Sequence, residues 1–265
     1  MPRQSSNNSN KLLVENLWRN KLITRPLVKL AFLKVDRGQY APRDAYKDSP
    51  QLLSHQATIS APHMHAKAVE SLLPYLLPKT ESEQPIEGVD EVVGVKGRPR
   101  RVLDIGSGSG FLVHLFAELA GKTGVVVGVE HIEELRNLGE TNMRKSAEGA
   151  ALLNSGRVRF RLGDGRKGWS EPSPADTVLK NEEGGWDAIH VGAGAVTLHD
   201  ELVRQLRSPG RLFIPVAEEE NNWFSDQYIW TMDKDEKGNV TKTKHYRVKY
   251  VWLMDAPGGP LRALG

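Results

Sequence analysis

Apolar positions fall into two rhythms along the chain. Leu12, Leu13 and Leu17, then Leu27, Leu30 and Ala31, recur at helical spacing and predict two short helices near the start. A Pro-containing loop follows from Tyr40 to Gln56. Ser60-Ala61-Pro62 then reads as a helix start, with Ser60 as a possible N-cap and Pro62 in the first turn. Val69, Leu72, Leu73 and Leu76 give that helix its apolar face, and Pro78 ends it. The rhythm changes at Arg101. Val102 to Ile105, Val125 to Val129, Val158 to Leu162, Ala188 to Val191 and Leu212 to Val216 are short apolar runs suited to buried parallel strands. Helical stretches such as Leu112 to Leu119 and Leu202 to Leu206 lie between them. Tyr228 to Met232 and Tyr246 to Leu253 flank Asp235-Glu236-Lys237-Gly238, which reads as a closing antiparallel pair.

The expected fold class is therefore α/β, a doubly wound, mostly parallel seven-stranded sheet with a C-terminal antiparallel pair and helices ahead of it. The expected organisation is a frayed polar start (1–10) and one domain over 11–265. Within that domain come a helical segment (11–77), a surface insertion (78–99), the central sheet (100–217) and the strand pair (224–255). A second acidic stretch, Glu171 to Gly185, reads as a loop.

Composition narrows the function classes. With 36 basic and 33 acidic residues the charge nearly cancels, so no nucleic-acid footprint is expected, and Arg98, Arg100 and Arg101 read as a solvated strand start. The chain has no cysteine, which removes disulfides, thiolate metal sites and cysteine nucleophiles and fits a reducing, cytoplasmic location. No apolar run reaches membrane-spanning length, so no membrane partner is expected. A monomer is expected, because no long apolar helix face is left over.

The strongest local signal is Val102-Leu103-Asp104-Ile105-Gly106-Ser107-Gly108-Ser109-Gly110-Phe111. A strand runs into a glycine turn and then a helix, and glycines let a ligand approach the backbone. Phe111 stands where the dinucleotide fingerprint requires its last glycine. The spacing Gly106-x-Gly108-x-Gly110, with Asp104 ahead of it, instead resembles the adenosylmethionine-binding loop of class I methyltransferases, a Rossmann-like fold. Glu130 closes the next strand about twenty residues on, where a carboxylate can accept from both ribose hydroxyls or simply face a helix N-terminus. Asp164, between Gly163 and Gly165, ends the third strand and can accept from an adenine amino group.

A sharper resemblance covers roughly residues 11 to 255. Asp48-Ser49-Pro50 and Ala57-Thr58-Ile59-Ser60-Ala61-Pro62-His63-Met64-His65-Ala66 are similar to the hallmark segment of the protein-L-isoaspartate (D-aspartate) O-methyltransferase family. Gly163-Asp164-Gly165-Arg166, Trp186-Asp187-Ala188-Ile189-His190-Val191-Gly192-Ala193 and Pro209-Gly210-Arg211-Leu212 resemble it in the same order. The resemblance implies S-adenosyl-L-methionine as cofactor and S-adenosyl-L-homocysteine as product. It implies transfer of a methyl group to the free α-carboxylate of L-isoaspartyl residues in damaged proteins and peptides, giving an ester that cyclises to a succinimide. It further implies Ser60 as the catalytic-site residue. Cofactor contacts are expected at Ala57, Thr58, Ile59, Ser60, His65, Asp104, Gly106, Ser107, Gly108, Ser109, Glu130, His131, Asp164 and Gly165. No metal is expected, since His63 and His65, two apart on a helix, face different ways.

The chain departs from the family pattern at three places. Leu53-Ser54 stand where Ile-Gly is usual, Trp252-Leu253-Met254 stand for Pro-Leu-Thr, and the two insertions are longer. Two other readings compete. One is a methyltransferase for another acceptor; Val191-Gly192-Ala193-Gly194 lacks the Pro-Pro motif of amide- and adenine-directed enzymes. The other is a non-catalytic adaptor that binds the cofactor.

Overall fold

The computed structural model describes residues 9–79, 92–170 and 185–253. The expected frayed start, most of both insertions and Met254 lie outside the described residues. Helices α1 (Asn10–Arg19) and α2 (Pro26–Lys34) open the chain, as the periodicity predicts, although Leu12 and Leu30 end up exposed rather than in the core. A small hairpin follows, β1 (Gln51–Leu52) against β2 (Thr58–Ile59), and leads directly into α3 (Pro62–Leu76). The N-cap of α3 is Ala61 and makes no side-chain cap bond, so Ser60 does not cap this helix. The orphan amide of His63 is met instead by Asp48, whose Oδ1 accepts it at 3.0 Å.

Beyond residue 100 the chain alternates. In order come β3 (Arg101–Ile105), α4 (Phe111–Leu119), β4 (Val125–Glu130), α5 (Glu133–Met143), α6 (Ala147–Asn154), β5 (Val158–Leu162), β6 (Trp186–Val191) and α7 (Asp200–Arg204). β7 (Leu206–Ala217), β8 (Gln227–Lys234) and β9 (Val240–Val248) close it. The sheet order is β5-β4-β3-β6-β7-β8-β9, parallel through β7 and antiparallel after it. Successive side chains of a strand point to opposite faces, and the core divides accordingly. Val102 and Val126 join α3 and α4 on one face, while Leu103, Ile105, Val127 and Val129 join Leu202 of α7 on the other.

Two expectations are corrected. The last strand covers Val240–Val248 rather than Tyr246 to Leu253, because residues 240–245 are all exposed and an outermost polar strand has no apolar alternation to reveal it. The reading of Arg98, Arg100 and Arg101 as a solvated strand start also fails. Arg100 is buried, and Arg98, Arg100 and Arg207 surround the fully buried Asp187 at 2.9, 3.5 and 3.0 Å, while the Arg101 amide donates to its Oδ2 at 2.8 Å. The arginines serve as counter-charges for one carboxylate in the middle of the sheet.

Candidate active site

The sheet reverses its winding direction between β3 and β6, and the crevice at the carboxyl ends of those strands is where α/β sheets receive ligands. The turn after β3 fits that position. Gly106, Gly108 and Gly110 have φ of 73°, 49° and 84°, in the left-handed region that favours glycine. At Gly110 a side chain is also sterically barred, because a Cβ would lie 2.9 Å from the Gly139 carbonyl oxygen. The turn is pinned beneath by Gly192, whose amide donates to Ile105 O at 2.8 Å.

The opposite wall comes from the β1–β2 hairpin. Its turn closes through Ala57 N to Ser54 O and Leu53 N to Ala57 O, both 2.9 Å. His55 and Gln56 at its tip have φ of 52° and 60°, so Leu53-Ser54 are accommodated in a tight left-handed turn. A narrow cleft runs between hairpin and glycine turn. It is lined by Thr58, Ile59, Ser60 and His65 on one side and by Asp104, Gly106, Ser107, Gly108 and Ser109 on the other. These two groups are separated by 39 or more positions in sequence and meet only through the fold.

The other expected residues, Ala57, Glu130, His131, Asp164 and Gly165, do not line the cleft itself. Glu130, buried at the end of β4, accepts from the Gly108 amide at 3.1 Å and from the amides of His131 and Ile132 at 2.8 and 3.2 Å. His131 Nδ1 lies 2.9 Å from the same carboxylate. Burial pushes the Glu130 carboxyl up, but the hydrogen bond and charge of His131, with the Gly108 and Ile132 amides, outweigh it and hold it below the usual range. Ala57 closes the hairpin turn. Asp164 accepts from Arg166 Nε and Nη2 at 2.9 Å each, and this contact, stronger than the opposing burial, holds its carboxyl low. Gly165 packs on Ile105, with no room for a side chain.

Sequence reasoning missed the residues behind the wall. Arg37, buried, donates to Ser60 O at 2.8 Å and Ala45 O at 2.9 Å, and its Nη1 lies 3.1 Å from His65 Nδ1. Burial pulls the guanidinium down to about 9 against the pull of Asp48, so it is still charged at neutral pH. A charged Arg37 can only donate to Nδ1, so the proton of a neutral His65 sits on Nε2. Burial first, then the charges of Arg37, His190 and His63, hold His65 well below the ordinary histidine range. Asp104 meets His190 Nδ1 at 2.7 Å; burial lifts its carboxyl, only partly offset by that bond. The Tyr250 ring lies beside the Ser60 side chain, and burial raises its hydroxyl strongly. No local pattern signals Arg37 or Tyr250, since each acts on a segment remote in sequence. Among the described residues no cluster of three metal-ligating side chains occurs.

The family model described as "Protein-L-isoaspartate(D-aspartate) O-methyltransferase (PCMT)" matches residues 7–82 and 91–258. The chain belongs to that family. It is 38% identical to Protein-L-isoaspartate O-methyltransferase 1 of Arabidopsis thaliana over 251 residues, covering 94% of this chain and 93% of the relative. To the Protein-L-isoaspartate O-methyltransferase of Caenorhabditis elegans it is 37% identical, over 84% of both chains. Its fold is also similar to the Plasmodium falciparum beta-aspartate methyltransferase (PCMT), solved in complex with S-adenosyl-L-homocysteine. The TM-score is 0.73 at 31% identity, over 94% of this chain and 99% of that one. The motifs that carry the resemblance, Thr58 to His65 and the glycine turn, thus form the two walls of one cleft.

Proposed function

We propose that this cleft esterifies the free α-carboxylate of L-isoaspartyl residues in damaged proteins and peptides, with S-adenosylmethionine as methyl donor. The observation that carries the reading is the meeting of the Thr58–Ser60 segment with the Gly106–Gly110 turn across one narrow space. The donor set fits the cofactor. The glycines of the turn expose backbone to the space, Ser107 Oγ is buried without a hydrogen-bond partner, and Glu130 keeps an acceptor site on Oε2 for a ribose hydroxyl. Asp164, at the next strand end, is assigned to the adenine amino group. When bound, the cofactor supplies an electrophilic sulfonium methyl.

The acceptor needs no base, because a carboxylate is ionised at neutral pH. The residues therefore work by placement. Ser60, beside Tyr250 and with its carbonyl held by Arg37 at 2.8 Å, offers a neutral donor to the substrate carboxylate. The buried Asp48 cap takes over the helix terminus and releases the Ser60 hydroxyl for this task. The backbone amide nitrogen of the next residue then attacks the ester carbonyl and expels methanol, and water opens the resulting succinimide in part to normal aspartate. The reading includes a cytoplasmic monomer, supported by the absence of cysteine and by charged outer strands. No helix among the described residues is long and apolar enough to cross a membrane.

The test is transfer of labelled methyl from S-adenosylmethionine to a synthetic isoaspartyl peptide, with its aspartyl twin as control. Base-labile label on the isoaspartyl peptide alone is expected. Cofactor binding with no label on either would overturn the reading in favour of another acceptor or an adaptor.

A further inference from the structure

Resting on that reading, we infer that Trp223, Phe224 and Trp252 form a shelf for the substrate peptide, seating an apolar side chain a few residues from the isoaspartyl site. Phe224 is 99% exposed and Trp223 42% exposed, on the loop joining β7 and β8. Adjacent exposed aromatics of this size mark interaction sites more often than chance surface.

The loop holds a definite shape. Glu218 N donates to Asp226 O at 2.7 Å, Glu219 N to Ser225 Oγ at 2.9 Å, and Phe224 N to Asn222 Oδ1 at 2.9 Å. Asn221 N ties it to Val196 O at 2.8 Å. The aromatic residues are thus carried on an ordered backbone turn, and little backbone entropy remains to be lost when a peptide docks.

The shelf is continuous with the cleft. The Trp223 ring packs edge-on against Trp252, with centroids 5.4 Å apart at 74°. Trp252 bridges to Gly194, flanked by Gly194 N to Val251 O at 2.7 Å and Leu253 N to Gly194 O at 2.8 Å. Gly194 is two residues beyond Gly192, which lines the cleft. Tyr250, two residues before Trp252, lies beside the Ser60 side chain. Two residues of extended chain reach roughly 7 Å, so Trp252 stands close to the Ser60 side of the cleft and the Trp223 ring one ring-step beyond it. Val251, 43% exposed, extends the same apolar rim. Trp252 stands where the family pattern has Pro, so the shelf belongs to this chain rather than to the shared machinery.

The occupant is a substrate segment carrying Phe, Leu or a similar side chain. Burying such a group against aromatic rings corresponds to roughly tenfold or more in kcat/KM. The experiment measures methylation of isoaspartyl peptides of equal length, with Phe or Gly scanned through the three positions on either side. It compares the wild type with the double variant Trp223→Ser/Phe224→Ser. Both positions are exposed, and an unchanged melting temperature confirms that the variant folds. The expected result is a wild-type preference for Phe over Gly at one or more positions, carried by KM. In the variant that preference falls towards one while the rate on the all-Gly peptide is kept. Equal wild-type rates on the Phe and Gly peptides, or a preference that survives in the variant, overturn the shelf alone. No label on any isoaspartyl peptide overturns the shelf and the proposed function together.

Discussion

Lowering the pH from 7 to 5 should weaken the fold through His65. In the folded chain its ring is buried and held neutral, with its pKa well below the ordinary histidine value, first by burial and then by Arg37, His190 and His63. In the unfolded chain it takes up a proton as pH falls past about 6.5. The unfolded state then binds more protons than the native state, so stability drops as pH drops below that value. The loss is a little over 1 kcal/mol per pH unit, and integrates to about 2 kcal/mol between pH 7 and 5. For a chain of this size that corresponds to roughly 4–8 °C in melting temperature. His199 and His245 are also depressed, chiefly by burial, and add a term of the same sign. Glu130 and Asp164, held low in the fold, add a loss of the same sign only below about pH 4.5, outside this interval. The comparison is therefore between wild type and His65→Gln, which keeps an acceptor for Arg37 but does not titrate. Urea unfolding at pH 7, 6 and 5 should give a difference in stability change of about 2 kcal/mol between them. Parallel curves over the whole interval would refute the claim that His65 is kept neutral.

Three further outcomes are expected. Ser60→Ala should lower turnover roughly a hundredfold while leaving cofactor affinity near wild type, as measured by titration calorimetry beside steady-state kinetics; equal loss of both would make Ser60 a structural residue. Glu130→Gln should weaken cofactor binding about 10- to 100-fold, the equivalent of one charge-assisted hydrogen bond, with little effect on saturated turnover. Gly110→Ala combines a φ of 84° with a Cβ 2.9 Å from a backbone oxygen and should cost about 2–4 kcal/mol in urea unfolding. A variant as stable as the wild type would show that the turn relaxes freely.

The parts legible in the sequence were those written locally. The strand ends at Asp104, Glu130 and Asp164 could be located because each apolar run stops in a polar group or a glycine turn. The family segment from Thr58 to His65 could be placed at the site through resemblance. Parts set by partners remote in sequence could not be read. Ser60 has the residue type and position of an N-cap, yet Asp48 performs that role from another segment. The three arginines before β3 have the composition of a solvated stretch, and only the buried Asp187 explains them. Arg37 and Tyr250 join the site by packing alone. β9 was displaced because a strand exposed along most of its length carries no alternating pattern.

The outermost strands bear on how such a protein survives its own substrates. β5 places Arg159 and Arg161, and β9 places Lys242, Lys244 and Arg247, along the two rims of the sheet. An open rim is a template onto which any loosened polypeptide can anneal, and cationic side chains discourage that addition. Aged, partly unfolded chains are the clientele proposed for this cleft, so such encounters would be constant. The charged rims confine each one to a brief visit at the cleft and keep the repair catalyst out of the aggregates its clients tend to form.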